Sequence, residues 1–438
     1  MSDLILNVDV IYEIINQLKD DNFALFNFLL VNKHFGEIAV SLLWKNPFQF
    51  CKINDNGKNY LIIQTYITCF NKKERIKATS ILKNLNSYQT PFFKYGEYLK
   101  EFKIHEIKIS ISAWYNTFIK NAIISDSKYT RFETCLIRSL MRQCQTLDCI
   151  DLDISLADKY LLDTMQCKIM NLKNLTLYCK SYYNVVTTER VRRTLEIFKN
   201  HCQGLSCLIF DHFNINYKDV ITKELKSLNS LTKVILNNVD FEKISFDFIE
   251  KCINLEILGL RSSKGLNLEN IDPYTTFKNL KLLDLSYNEW SSEVNILIIK
   301  KAGDNLTSLT IGKEHNINTI NDDTLIALIK YCPKINSLSF SKISKESINM
   351  VFSYLKEFKL VTLQIHQIEE NSTVIKSKDL LDYIEYQNSL SKLGIGKNDN
   401  YWHYYNKSRD NFEKLLKKHN IRLIGYKPND LKNRRILK

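Results

Sequence analysis

The chain has 438 residues, 45% hydrophobic and 25% charged, with a formal net charge of +13. These are globular proportions, and a content of only 5 prolines and 11 glycines excludes collagen-like and low-complexity classes. No stretch reaches the roughly 18 unbroken apolar residues of a membrane helix, the run Phe23 to Val31 being interrupted by Asn27.

Apolar residues at Val10, Ile11, Ile14, Ile15 and Leu18 fall on one helical stripe. Asn7 or Asp9 is placed to cap its start, and the acidic start (Asp3, Asp9) argues against a secretory leader. Asp20, Asp21 and Asn22 make a turn before the apolar run Phe23 to Val31. Phe35, Ile38, Ala39, Leu42 and Leu43 form a third stripe that ends at Trp44, ahead of Pro47. Three short helices in 48 residues hold more apolar surface than so small a module buries unaided. Physics alone leaves two roles for them, a docking surface for a partner or a cap on the rest of the chain.

The strings Leu6-Asn7-Val8-Asp9-Val10-Ile11-Tyr12-Glu13-Ile14-Ile15-Asn16-Gln17-Leu18, Leu29-Leu30-Val31-Asn32-Lys33-His34-Phe35 and Leu42-Leu43-Trp44-Lys45-Asn46-Pro47-Phe48 resemble an F-box, in particular those of fungal F-box proteins. The resemblance covers residues 1–48, about a tenth of the chain. It implies a three-helix module that docks a Skp-family adaptor and, through it, a cullin scaffold for ubiquitin transfer. The adaptor-facing or groove-forming positions it implies are Leu6, Val10, Ile11, Ile14, Leu18, Leu30, Val31 and Trp44. Trp44 is the expected principal anchor, since large aromatics dominate interface energetics. One departure stands out: the family usually has Leu-Pro where this chain has Leu6-Asn7.

Residues 49–95 read as a helical connector, with apolar Tyr60 to Phe70 and a further helix from Ile76 to Leu85. The cations Lys72, Lys73, Arg75 and Lys77 between them read as a solvated face.

From there the pattern Leu-x-x-Leu-x-Leu recurs ten times, starting at Leu147, Leu172, Leu205, Leu231, Leu255, Leu280, Leu306, Ile335, Leu360 and Leu390, with Leu99-Phe102-Ile104 as an earlier copy. The intervals are 25, 33, 26, 24, 25, 26, 29, 25 and 30 residues, and seven of the nine lie within the leucine-rich-repeat window of 20–29. The last two apolar positions of each motif are two apart, so both point to one side of a strand. The expected fold is α/β: a leucine-rich-repeat solenoid over 96–400, with a parallel concave sheet and outer helices such as 322–331. A three-helix module precedes it and a basic cap, 401–438, comes after it.

Six of the eleven cysteines fall at recurring repeat positions. Cys144, Cys202, Cys252 and Cys332 each lie three residues before a motif, and Cys149 and Cys207 two after a motif start. Packing of small buried side chains accounts for this better than zinc, whose clustered pairs are lacking. No metal or cofactor is expected. The repeats resemble the cysteine-containing subclass common in F-box proteins. The Asn expected eight residues after a motif start stands clearly only at Asn288.

No phosphate loop, H-E-x-x-H or G-x-S-x-G is present, so no catalytic residues are expected and the chain reads as a non-enzyme. The candidate substrate-facing residues are Asp151, Asp153, Tyr178, Asp211, Arg261, Asp284 and His366. Charge is uneven: residues 1–48 hold six acids and three bases (net −3), residues 397–438 twelve bases and four acids (net +8). A Lys- and Asn-rich coding bias explains the excess without a nucleic-acid partner, and the cluster Tyr401-Trp402-His403-Tyr404-Tyr405 reads as a cap of the last repeat. The expected function is a substrate-recognition subunit of a cullin-type ubiquitin ligase, located in the cytoplasm, the nucleus or both. The alternative is a leucine-rich-repeat scaffold with no ligase role.

Overall fold

The computed structural model describes residues 7–50, 61–82, 91–118, 126–179, 187–212, 230–312, 322–340, 345–365, 377–395 and 409–424. The chain divides into two compact units, Met1–Leu205 and Ser206–Lys438. Leu6, His366 and His403 lie outside the described residues.

The first unit opens with α1 (Val8–Gln17), α2 (Asn22–Phe28) and α3 (Lys33–Leu43). Each begins on a short polar side chain that accepts an otherwise unpaired backbone N–H. Asn7, Asp21 and Asn32 take those of Asp9, Ala24 and Phe35 at 3.1, 3.0 and 3.1 Å. Of the two candidate caps at the start, Asn7 is the one used. Ile11, Ile15, Leu25 and Ile38 meet in the centre, ringed by Phe28, Phe35, Leu42 and Leu43.

The connector contributes α4 (Leu61–Thr68) and α5 (Lys72–Ile81). Asn71 and Glu74 form a reciprocal capping box at the start of α5. Strands β1 (Glu101–Lys103), β2 (Cys149–Asp153) and β3 (Asn174–Tyr178) come next. They are interleaved with α6 (Ile104–Phe118), α7 (Asp126–Gln143), α8 (Lys159–Met165) and α9 (Thr188–His201). Glu74 also receives both Nε and Nη2 of Arg142 at 2.6 and 2.8 Å, which ties α5 to α7.

The second unit repeats one theme. Its strands are β4 (Cys207–Asp211), β5 (Lys233–Asn237), β6 (Ile257–Arg261), β7 (Leu282–Ser286), β8 (Ser308–Gly312), β9 (Ser337–Phe340), β10 (Thr362–Ile365), β11 (Lys392–Ile395) and β12 (Arg422–Leu423). The helices are α10 (Asp247–Glu250), α11 (Ser292–Ala302), α12 (Asp322–Tyr331), α13 (Lys345–Leu355), α14 (Ser377–Tyr386) and α15 (Arg409–Lys418). From α11 onward each helix packs on the next.

Within each unit every strand pairs in parallel with its successor. The register lines up Phe102, Ile150 and Leu175 in the first unit. In the second it lines up Leu208, Val234, Leu258, Leu283, Leu309, Leu338, Leu363, Leu393 and Leu423. All but Leu423 are the middle apolar positions of the motifs, and all but Leu423 are buried. Such consecutive parallel strands, each returning through a helix or turn, define a leucine-rich-repeat fold. The ladder runs past residue 400, because α15 and β12 add a further unit within the segment read as a cap.

The backbone reinforces this stacking. One carbonyl in each repeat accepts from two successive N–H groups of the next: Glu256 O from Lys281 and Leu282 at 2.9 and 3.0 Å, Lys281 O from Thr307 and Ser308 at 2.9 and 3.0 Å. In the first unit this series starts before any strand, where Lys45 O accepts from Lys100 and Glu101 at 3.0 and 3.1 Å.

Two polar side chains are integral to the core of the second unit. Buried Asn288 accepts from Ser263 N at 3.0 Å and donates to Leu260 O at 2.7 Å, stitching β6 to the turn after β7. The Lys301 side chain, 1% exposed, pairs with Glu250 at 2.9 Å. It also donates to Asp272 O and Thr275 Oγ1 and lies over the Phe277 ring.

In β4 to β6 residues that alternate with the leucine row are buried as well. Cys207, Ile209, Ile235 and Ile257 are buried and cluster together, with Leu282 packed against them. Each of these strands thus places at least one buried apolar side chain on the face opposite the leucine row, beside polar residues such as Lys233, Asn237 and Arg261 at its ends.

Replacing Asn288 by alanine strands a buried amide and a buried carbonyl. The expected cost is about 2 kcal/mol of unfolding free energy. Urea unfolding of the full chain measures it, and a loss below about 0.5 kcal/mol, the level of an ordinary surface change, would contradict the role given to this side chain.

Candidate functional site: an apolar helical face and the strand-edge residues

The three N-terminal helices bury only part of their apolar surface. Ile11 and Ile15 turn inward, while Val10, Ile14 and Leu18, at successive turns on the neighbouring flank of α1, remain exposed. In α2 and the turn after it, Leu25 is buried but Phe23, Phe26, Leu30 and Val31 are exposed by 77%, 59%, 86% and 57%. Exposed apolar side chains this closely spaced along a short segment are uncommon, single exposed ones being ordinary.

Among the positions implied by the F-box resemblance, Val10, Ile14, Leu18, Leu30 and Val31 thus lie on accessible surface. Ile11 does not, because it fills the helical core. Phe23 and Phe26, one turn apart on α2, are exposed as well. They were legible as members of an apolar run, but that run had no periodicity to say which side chains faced out.

Trp44 packs against aromatic side chains of its own chain. It is half-buried, with its ring centroid 4.3 Å from that of Tyr95 and 5.4 Å from that of Tyr66. Phe48, fully buried, stacks on the same Tyr66 at 5.5 Å. Asn46, also buried, donates to Glu101 Oε2 at 2.9 Å. The string Trp44-Lys45-Asn46-Pro47-Phe48 therefore fastens the helical module to the connector and to β1.

The strand-edge candidates are mostly satisfied by their own neighbours. Asp284 is buried. Its Oδ2 accepts from Arg261 Nε at 2.6 Å, and its Oδ1 accepts from Ser286 N and Oγ at 3.0 and 2.6 Å. Arg261 and Asp284 thus neutralise each other. Asp211, also buried, is held by His212 Nδ1 at 2.9 Å and Asn237 Nδ2 at 2.5 Å. Tyr178 is buried, and Asp153, half-buried, caps the turn at Ser155. Asp151 is half-buried beside it. Asp211 and Asp284, expected to face a substrate, are thus buried with their carboxylates hydrogen-bonded to neighbouring side chains.

A feature the periodicity did not reveal lies at the same edge. The residues immediately after β4, β5, β6 and β7, namely His212, Asn238, Ser262 and Tyr287, all have positive φ of 55°, 53°, 48° and 63°. Their N–H groups donate to strand-end carbonyls of the next repeat, for example Asn238 N to Arg261 O at 2.8 Å. Left-handed backbone at non-glycine residues costs free energy, of order 1 kcal/mol each, which this hydrogen bond offsets.

The described cysteines are free thiols. Cys144, Cys202, Cys252 and Cys332 each close the last turn of the helical segment before them, and burial pushes each thiol up to about 12. Such thiols are poor nucleophiles and poor metal ligands. Among the described residues no group of three or more His, Cys, Asp or Glu side chains is placed to hold a metal ion. Nor is any described helix long and apolar enough to cross a membrane.

No protein-family model matches the chain. No curated protein matches it either. Solved structures do, among them the crystal structure of the leucine-rich repeat-containing protein LegL7 from Legionella pneumophila. It is 14% identical, covers 63% of this chain and 82% of its own, and superposes with a TM-score of 0.38. The leucine-rich-repeat class rests on the strand ladder itself.

Two measurements check these placements. Trp44→Ala should lower unfolding stability by about 2–3 kcal/mol by emptying the aromatic cluster, while Leu30→Ala stays within about 0.5 kcal/mol. In a thiol-labelling time course at pH 8, exposed Cys167 should react first and Cys144, Cys202, Cys252 and Cys332 only on unfolding. Early labelling of the latter four would contradict their burial.

Proposed function

We propose that this protein is an F-box-type substrate receptor: the N-terminal helices dock a Skp-family adaptor of a cullin ubiquitin ligase, and the repeat array binds the protein to be modified. The observation that carries the reading is the exposed apolar face around Phe23, Phe26, Leu30 and Val31. Burying each such side chain against a partner is worth about 1–3 kcal/mol. A module this small gains stability from a bound partner by mass action. The order and spacing of the F-box-like strings in residues 1–48 supply the identity of that partner. The array supports the second half of the reading, since stacked repeats present an extended surface to proteins. The chain's own part is then proximity, holding a substrate beside an activated ubiquitin and so raising effective concentration.

A second reading is a leucine-rich-repeat scaffold without a ligase role, the helices serving as a cap. The contacts of Trp44, Lys45, Asn46 and Phe48 with the connector and β1 favour a structural contribution from this string. They leave the face on α1 and α2 uncovered, which a cap alone does not explain.

Pull-down of a Skp-family adaptor by the full chain tests the choice. Phe23→Asp with Leu30→Asp should weaken capture by at least about tenfold while circular dichroism stays unchanged, as expected for central apolar anchors. Capture that survives both the double variant and deletion of residues 1–48 rules out the docking role and leaves the scaffold reading.

A further inference from the structure

The face of the sheet opposite the leucine row changes character along the second unit. In β4 to β7 it carries the buried apolar cluster of Cys207, Ile209, Ile235 and Ile257, with Leu282 against it. From β8 onward the register sets Ser308, Ser337, Thr362, Lys392 and Arg422 in one row and Thr310, Ser339, Gln364 and Gly394 in the next. Backbone hydrogen bonds fix the end of the first row: Val361 O accepts from Lys392 N at 3.0 Å, and Ser391 O from Arg422 N at 2.8 Å. Lys392 and Arg422 are exposed on neighbouring strands, about 4.8 Å apart at the backbone. Neither makes an ion pair among the described residues, in contrast to Arg261, which Asp284 neutralises. The hydroxyls of Ser308, Thr310, Ser337 and Thr362 are half-buried and make no hydrogen bond among the described residues. No residue of these two rows is acidic or aromatic.

Two unmatched cations beside a row of unused hydroxyl donors make a surface with no anion of its own. Such a surface favours a partner that supplies one and repels a basic segment. Single-stranded nucleic acid is also anionic, but it is held by stacking of its bases on aromatic side chains, which these rows lack. We propose that the sheet face over β8 to β12 binds a carboxylate-rich, extended segment of a partner protein. Lys392 and Arg422 pair with its acids, and the serine and threonine hydroxyls donate to it. Hydrogen bonds from a charged donor to a carboxylate are stronger than neutral ones, so the two cations carry most of the affinity. The proposal rests on the reading of the array as the part that binds the protein to be modified. It adds the chemistry of that protein's segment and uses nothing of the adaptor half.

Fluorescence anisotropy of the full chain with a labelled oligo-glutamate peptide tests this. Wild type should bind the peptide, and binding should weaken steeply between about 0.05 and 0.5 M salt. Lys392→Glu with Arg422→Glu should weaken it at least about tenfold while circular dichroism stays unchanged. The milder Lys392→Gln with Arg422→Gln, which serves if the reversal disturbs folding, should weaken it about three- to fivefold. Lys72→Glu with Lys73→Glu makes the same change in net charge on exposed residues of α5 and should stay within about twofold of wild type. Equal losses in the two reversal variants, or no loss in either, overturn the proposal. So does an oligo-glutamine peptide that binds as tightly, or binding confined to a phosphoserine peptide or to single-stranded RNA. Failure of wild type to bind oligo-glutamate while it still captures the adaptor overturns this proposal and leaves the docking reading in place. Loss of adaptor capture with peptide binding intact overturns the docking reading alone.

Discussion

Each strand of the array contributes a row of aliphatic side chains that only its neighbours in the stack and the returning segment can cover. Leu258 has Val234 on one side and Leu283 on the other, and no position in its own repeat could replace them. The doubly accepting carbonyl of each repeat works in the same direction, since it satisfies two N–H groups of the next unit. Repeat stability is therefore mostly interfacial, and a single repeat is not a folding unit. Spacing, irregular loops and polar intrusions are tolerated as long as that row continues.

This dependence explains what could be read from the sequence. The middle apolar residue of each motif lies on the register line because a two-residue period fixes which side chains enter the core. The helix over 322–331 arises from its own stripe. Periodicity says nothing of what lies opposite a face, so the burial of Ile209, Ile235 and Ile257 on the other side of the sheet was not legible, nor the withdrawal of Asp211 and Asp284 into strand-to-strand hydrogen bonds. Lys301 was hidden for a related reason. A lysine on a helix reads as solvated until Glu250, Asp272 and Thr275 come from distant positions to surround it. β12, two residues long, is too short for any pattern to announce.

The N-terminal helices divide their apolar residues between an inner set, Ile11, Ile15, Leu25 and Ile38, and an outer one. A module with so small a core has little stability to spare, and part of what it has comes from the aromatic cluster of Trp44, Tyr66 and Tyr95. Trp44 thus packs within the chain. The exposed side chains of α1 and α2 take no part in that cluster. Its size makes the tryptophan stand out in the sequence, whereas its ring contacts with Tyr66 and Tyr95 come from positions no local pattern connects to it.

The rung made by Lys45 has a further effect. The first strand of any open sheet offers unpaired amides that can recruit a strand from another molecule and begin a fibre. Here the N–H groups of Lys100 and Glu101 are already taken by a carbonyl from the end of a helical module, and Asn46 sits against the Glu101 side chain. The same five-residue string that joins module to array therefore also shields this margin from edge-to-edge growth, so losing it would expose the protein to aggregation as well as to detachment of its helices.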